Sequence, residues 1–272
     1  MNNEEMLQFI EDAFEENYEL LKLEGGHALA PYVKKMALEQ VKNYWIKLRN
    51  LAENVSDTEV KLMLPQQETP KGRSYAIQGV IDVVKEDHKT LMYDIKTHDV
   101  EAVRCNKQDY EGQLNIYAHI WQSSRGQQLD GAAVIGIGET EILRRAKQRF
   151  IQTNDRKFME EALELWDPEV PIEITSEKVQ EYLDSFGEVV DRIEDYQFQA
   201  PPIEKLKSKV QNNKLFAVHV CRNCDVRFSC ESFQEYAFTS TKAKRNFLEF
   251  YGDYGTEHER VELIESNLEE EV

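Results

Sequence analysis

The chain has 272 residues, 41% hydrophobic and 31% charged, and its 51 acidic against 33 basic side chains leave a net charge of −18. That length suffices for one large domain or two small ones with a substantial core. The charge argues against a free-standing nucleic-acid binder, whose affinity comes from neutralising phosphates, unless local basic surface offsets the total. No apolar run reaches bilayer-spanning length, so no membrane association is expected. The opening Met1-Asn-Asn-Glu-Glu lacks the basic-then-apolar pattern of a secretory leader, so a cytoplasmic protein is expected.

Residues 4–23 place Met6, Phe9, Ile10, Ala13, Phe14, Leu20 and Leu21 on one helical stripe, which Gly25-Gly26 ends. A second helix is predicted over about 27–51, with Val33, Met36, Ala37, Val41, Tyr44 and Leu48 at helical spacing and Pro31 in its first turn. His27 sits where the glycine turn enters this helix. Alternation over Thr58–Leu64 gives a first strand, followed by a turn from Pro65 to Lys71. Residues 74–84 and 90–97 read as two further strands joined by the polar turn Lys85–Lys89. A polar loop holding Cys105 is expected over 98–109, then a helix carrying Gln113 through Trp121. Gly131–Gly138 reads as an apolar strand and 154–166 has helical spacing, while Pro168 and Pro171 bracket a turn. Thr175 or Ser176 caps a helix to about Asp195, and Pro201-Pro202 opens a linker-like stretch to Leu215. From Gly252 the chain grows acidic, which predicts a helix and a frayed acidic tail.

Chemistry concentrates in Gly79-Val-Ile-Asp82 and Asp94-Ile-Lys96-Thr97. Side chains alternate along a strand, so Asp94 and Lys96 share one face and Ile95 takes the other. Simple hairpin pairing brings Asp82 close to Asp94. Two carboxylates and an ammonium on one sheet face are costly to bury without compensation, and a divalent cation with carboxylate and carbonyl ligands supplies it. A solvated hairpin is the plainer reading. In the following helix, Gln113 and Tyr117 lie four residues apart on one face.

Together G-x-x-D, D-x-K-T and Q-L-x-x-Y-A resemble the RecB-like exonuclease branch of the PD-(D/E)XK nucleases, over roughly residues 20–235. Ile81 stands where the superfamily carries its eponymous proline. The resemblance implies an α/β fold: a restriction-endonuclease-like core with a mixed central sheet of four to five strands flanked by helices. A long N-terminal helix would cross the site, and a cysteine segment would follow the core. It implies one or two Mg²⁺ or Mn²⁺ ions held by Asp82, Asp94, the carbonyl of Ile95 and His27. Lys96 would orient the attacking water or stabilise developing charge, with Gln113 and Tyr117 positioning the strand and the lysine. Glu59 matches a glutamate of this strand in the family, an outer acid on that reading and an exposed strand residue on the other. A single nuclease domain is expected over 1–250, with its core at about 25–145, a helical and cysteine segment at about 150–240, and an acidic tail at 252–272.

Cys221-x₂-Cys224-x₅-Cys230 places three thiols in a short run, suited to Zn²⁺ or an iron–sulfur cluster. Many RecB-like nucleases carry a [4Fe–4S] cluster on three such cysteines and a fourth that precedes the core. Here Cys105 follows the D-x-K strand, so either Cys105 or His219 completes the set, or the thiols are structural.

These readings lead to a metal-dependent deoxyribonuclease, by resemblance an exonuclease on single-stranded or free DNA ends, in repair, recombination or anti-phage defence of the CRISPR-associated kind. The alternative is a nucleic-acid-binding or structural subunit without hydrolysis of its own. The charge and the lack of any G-x-x-x-x-G-K-[ST] helicase motif imply a protein partner in trans or a homo-oligomer. Basic stretches at 144–149, 205–209 and 242–245 are the candidate DNA contacts, the last followed by Phe247, Phe250 and Tyr251.

Overall fold

The computed structural model describes residues 2–25, 28–210 and 214–239. It divides into two compact units, Met1–Asp191 and the chain from Arg192 onward. The expected C-terminal helix and tail, with the 242–251 stretch, lie outside the described residues, as does His27.

In the first unit, helices α1 (Asn3–Gly25) and α2 (Pro31–Glu53) precede strands β1 (Asp57–Glu68), β2 (Ser74–Glu86) and β3 (Thr90–Lys96). Helices α3 (Val100–Cys105) and α4 (Lys107–Arg125) lead to β4 (Gly131–Gly136). Then follow α5 (Glu141–Thr153), α6 (Lys157–Leu165), β5 (Glu169–Ile172) and α7 (Ser176–Glu194). The five strands form one mixed sheet in sequence order, parallel only between β3 and β4. A parallel pair needs a crossover, and α3 with α4 supplies it.

One sheet face carries the main core. Leu114, Ala118, Ile120 and Trp121 of α4 pack with Ile77, Ile81, Val84, Met92 and Val134. The other face is smaller, with Tyr44, Leu48 and Leu51 of α2 against Val83, Tyr93, Ala133 and Ile135. β4 is buried on both faces, which its unbroken Ala132–Ile135 run encodes. Both prolines of the sheet, Pro65 in β1 and Pro171 in β5, fall on edge strands, where a missing ladder donor costs least.

Several expectations are corrected. The polar loop at 98–109 contains α3, because Asp99 accepts a hydrogen bond from Ala102 N at 2.9 Å as an N-cap and Val100 and Val103 are buried. The proposed turn between Pro168 and Pro171 is largely β5. The basic run at 144–149 lies on α5, a helix the periodicity did not reveal, capped by Thr140. Three of its four cations are paired internally, Arg144 and Arg145 with Glu141 at 2.7 and 2.8 Å and Lys147 with Glu39, while Arg149 lies over the Phe158 ring. The apolar stripe of α1 does not enter a core, since no α1 residue is buried and Phe9 is 57% exposed. Ion pairs Lys34–Glu15 and Lys42–Glu11, each 2.5 Å, and a Trp45 Nε1 hydrogen bond to Asn3 at 3.0 Å tie it to α2.

The second unit holds α8 (Ile203–Lys207), α9 (Phe216–His219) and α10 (Glu231–Phe238) around a small core of Leu206, Ala217, Cys221 and Phe233. The stretch from Pro201 to Leu215 is therefore not wholly a linker. Pro202 precedes the first turn of α8, and Leu206 is fully buried.

Candidate active site

Regular alternation along β2 breaks at Asp82. Ile77 and Ile81 face α4, Val83 faces α2, and Val84 faces α4 again. Opposite this break, between the Thr58–Val83 and Val60–Ile81 pairs, Glu59 takes a left-handed backbone with φ 51°. A non-glycine residue with that φ is strained, and such strain collects where a strand is re-aimed. Pairing of β2 with β3 runs from Glu86–Thr90 only as far as Val83–Tyr93. Beyond it the Asp82 side chain replaces a backbone acceptor: Asp82 Oδ2 accepts a hydrogen bond from Ile95 N at 2.7 Å.

On the other side of β3, Lys96 O accepts a hydrogen bond from Ile137 N at 2.9 Å. Alternation along a parallel strand then turns the N–H and C=O of Ile95 toward β2, the side on which Asp82 lies. Both acids and the Ile95 carbonyl therefore collect where β2 and β3 part.

Asp94 projects to the α4 face with Met92 and is 2% exposed. Its Oδ1 accepts from Gln113 Nε2 at 3.2 Å, and the same Nε2 lies 2.9 Å from the Tyr117 hydroxyl. Its Oδ2 is buried without a hydrogen bond of normal geometry, though Lys96 Nζ stands 2.7 Å away as an ion pair. Burial raises the Asp94 carboxyl above its ordinary value. Lys96 opposes the rise, and the nearby Asp82 charge adds to it.

Gly79 explains how Tyr117 reaches its place. A Cβ at residue 79 would stand 2.3 Å from Tyr117 Cε1, so the ring lies on β2 where a side chain is missing. Two further groups escaped the sequence reading. Lys96 Nζ lies 5.8 Å from the Tyr110 ring centroid, and the Tyr110 hydroxyl is 3.3 Å from His98 Nδ1. Tyr110 is three residues before Gln113 on α4, and that helical spacing was the available signal. Burial raises the Tyr110 phenol. Glu59 is exposed.

Among the described residues no group of three or more His, Cys, Asp and Glu side chains is arranged to hold a metal ion. The donor set here is two carboxylates and a backbone carbonyl, oxygen only, and it suits a hard divalent cation that keeps water ligands. The buried Oδ2 of Asp94, met only by the Lys96 ammonium at 2.7 Å, fits that demand.

The cysteine run in the second unit forms a tight knuckle. Cys224 N donates to Cys221 O at 3.1 Å, and Cys230 N donates to Arg227 O. Burial pushes the Cys221 thiol up, with further rises from Cys230 and Cys224, yet the three thiols are not arranged as a metal-holding group among the described residues. All are free thiols. His219 ends α9 and is exposed, and Cys105 ends α3, exposed, in the first unit.

A five-stranded mixed sheet flanked by helices, with a carboxylate–x–lysine strand end and a second acid at the neighbouring strand break, defines a restriction-endonuclease-like fold. The family profile of the PD-(D/E)XK nuclease superfamily matches residues 2–231, and the chain belongs to that superfamily. No curated protein gives a significant match. One solved structure, the crystal structure of SSO0001, is 14% identical over 66% of this chain and 69% of the other, with a TM-score of 0.34, a likeness that carries no argument. No helix among the described residues is long and apolar enough to cross a membrane.

Proposed function

We propose that the chain is a metal-dependent deoxyribonuclease of the RecB-like kind, acting from single-stranded or free DNA ends. The observation that supports this most is Asp94: a buried carboxylate whose Oδ2 meets only the Lys96 ammonium at 2.7 Å, with the charge of a second acid, Asp82, near it. Asp82, Asp94 and the Ile95 carbonyl would hold Mg²⁺ or Mn²⁺. A bound divalent cation would polarise the phosphate and supply hydroxide near neutral pH.

The remaining roles fall to the protein's own groups. Gln113 fixes the rotamer of Asp94 through Oδ1, leaving Oδ2 directed at Lys96, and Tyr117 in turn fixes Gln113. Lys96, 26% exposed at its side chain, keeps its ammonium at the rim, placed to orient a water or stabilise charge on a phosphate oxygen. The Tyr110 ring holds that ammonium from the α4 side. Cys221, Cys224 and Cys230 would take a [4Fe–4S] cluster or zinc, with His219 of the same unit as a fourth ligand.

A net charge of −18 repels approaching DNA within about a Debye length of the surface, most strongly at low salt, so we also propose a separate partner chain or a homo-oligomer that supplies basic surface. Labelled single- and double-stranded DNA incubated with the protein and Mn²⁺ tests the whole proposal. Shortening from the ends, lost in Lys96→Ala and Asp94→Ala, is the expected result. Wild-type cleavage by both variants refutes the assignment.

A further inference from the structure

A groove of about 480 Å³ runs between α4 and α7 over β2, lined chiefly by Tyr117, Gln113, Ile116, Tyr182, Phe186 and Val189. It shares a wall with the candidate active site, because Gln113 and Tyr117 line it and Gln113 also hydrogen-bonds Asp94. Two glycines seat the tyrosines that line it. Gly112 stands inside helix α4, where glycine costs roughly 0.5–1 kcal/mol relative to alanine. A Cβ there would stand 3.0 Å from Tyr182 Cε1. Gly79 stands inside a strand, and a Cβ there would overlap Tyr117. Glycine at both positions gives room to a tyrosine ring on the same groove. Phe186 is 44% exposed and stacks on Tyr75 with centroids 6.0 Å apart and planes 20° from parallel, so its ring is held in place while presenting a face.

The lining residues carry no charge, although α7 is acidic at the neighbouring positions Glu181, Asp184 and Glu188. A phosphate backbone is not favoured along that helix. An uncharged aromatic group is. We infer that the groove seats a nucleobase next to the scissile phosphate, between Phe186 and Tyr182, with Gln113, Gln78 and Ser185 offering polar atoms to its edge. A base inside a duplex is covered on both faces by its neighbours and does not reach such a groove, so the occupant is an unpaired base. This inference rests on the nuclease reading and assigns α7 the selection of single-stranded substrate by stacking.

A single-stranded oligonucleotide with 2-aminopurine beside the cleavage position, titrated onto the protein in Ca²⁺, should lose fluorescence on stacking. Phe186→Ala should restore it and weaken binding about tenfold, in the range of one stacked base. In Mn²⁺, wild type should cleave an ordinary strand about tenfold better than one bearing abasic sites there. Phe186→Ala and Tyr182→Ala should bring that ratio toward one by raising KM for the ordinary strand rather than lowering kcat. Equal handling of ordinary and abasic strands by wild type, or an unchanged ratio in both variants, overturns the inference. If no strand is cleaved under any condition, the nuclease reading falls, and the fluorescence titration alone then decides whether the groove stacks a base.

Discussion

Replacing Gly79 by alanine is the most informative single perturbation of this site, because it touches neither acid nor lysine. The added Cβ would lie 2.3 Å from Tyr117 Cε1, 3.0 Å from Cζ and 3.1 Å from Cδ1. Carbon atoms rest at about 3.5–4.0 Å, so the ring must retreat by about 1 Å or more. The Tyr117 hydroxyl sits 2.9 Å from Gln113 Nε2, and that nitrogen is already 3.2 Å from Asp94 Oδ1. A retreat of that size breaks the first bond and releases the second. The fold should lose about 1–2 kcal/mol, the lower part of the overpacking range, since the ring is only half-buried and has room to move. Activity should fall further, about 100-fold, the usual penalty for misplacing a catalytic group by an ångström. Mn²⁺-dependent cleavage and urea denaturation on the same preparations separate the two effects. A Gly79→Ala/Tyr117→Ala double variant has no ring to displace and should be no worse than Tyr117→Ala alone. Undiminished cleavage by Gly79→Ala, or full additivity in the double variant, would refute the relay from β2 through Tyr117 to Asp94.

Burial raises the folded-state pKa of Asp94, so the stability tied to this group is complete below the ordinary carboxylate pKa and is lost as pH climbs through the raised value. Metal-free Asp94→Asn should therefore match or exceed wild type in Tm at neutral pH. It should also lose the Mn²⁺-induced rise, worth about 2.7 kcal/mol in wild type at a hundred times Kd; a variant destabilised equally at acid and neutral pH contradicts the burial argument. Asp191, 5% exposed, accepts hydrogen bonds from Thr69 Oγ1 at 2.7 Å and Lys71 N at 3.1 Å and pairs with Arg73 at 3.3 Å. Asp191→Ala should cost about 2–3 kcal/mol in urea denaturation, and a loss under 0.5 kcal/mol would show that the cluster adds nothing net. Protein purified without oxygen should carry either iron with broad visible absorption or zinc, and Cys224→Ser should remove it; elemental analysis finding neither metal leaves the three thiols structural.

What could be read in advance followed from local rules. Residues two apart on a strand share a face, which placed Asp94 beside Lys96, and residues four apart on a helix do likewise, which paired Gln113 with Tyr117. The central strands announced themselves by apolar runs. The shorter elements did not. β5 spans four residues with a proline among them, acceptable only because the strand is an edge, and edge position is a tertiary fact. α3 offers two buried valines and one cap, too few for a period to show. The break at Asp82 was equally hidden, because a strand that shifts its facing by one residue still looks like alternation until its neighbours are known. Tyr182 lies seventy residues after Gly112, and nothing local to either reveals that one ring fills the space the other leaves.

On the proposed nuclease reading the Asp82 carboxylate has two employments, the hydrogen bond it accepts from Ile95 N and a share in holding a cation, and mutation can separate them. Asparagine keeps an oxygen for the amide and so preserves the join between the strands, while withdrawing the charge a cation needs. Alanine removes both. A lineage relieved of selection for cleavage could therefore pass through Asp82→Asn without disturbing its architecture, and silent descendants of such enzymes should be enriched in that exchange. Retirement from catalysis at this position needs one nucleotide change and leaves a well-formed scaffold free for other use.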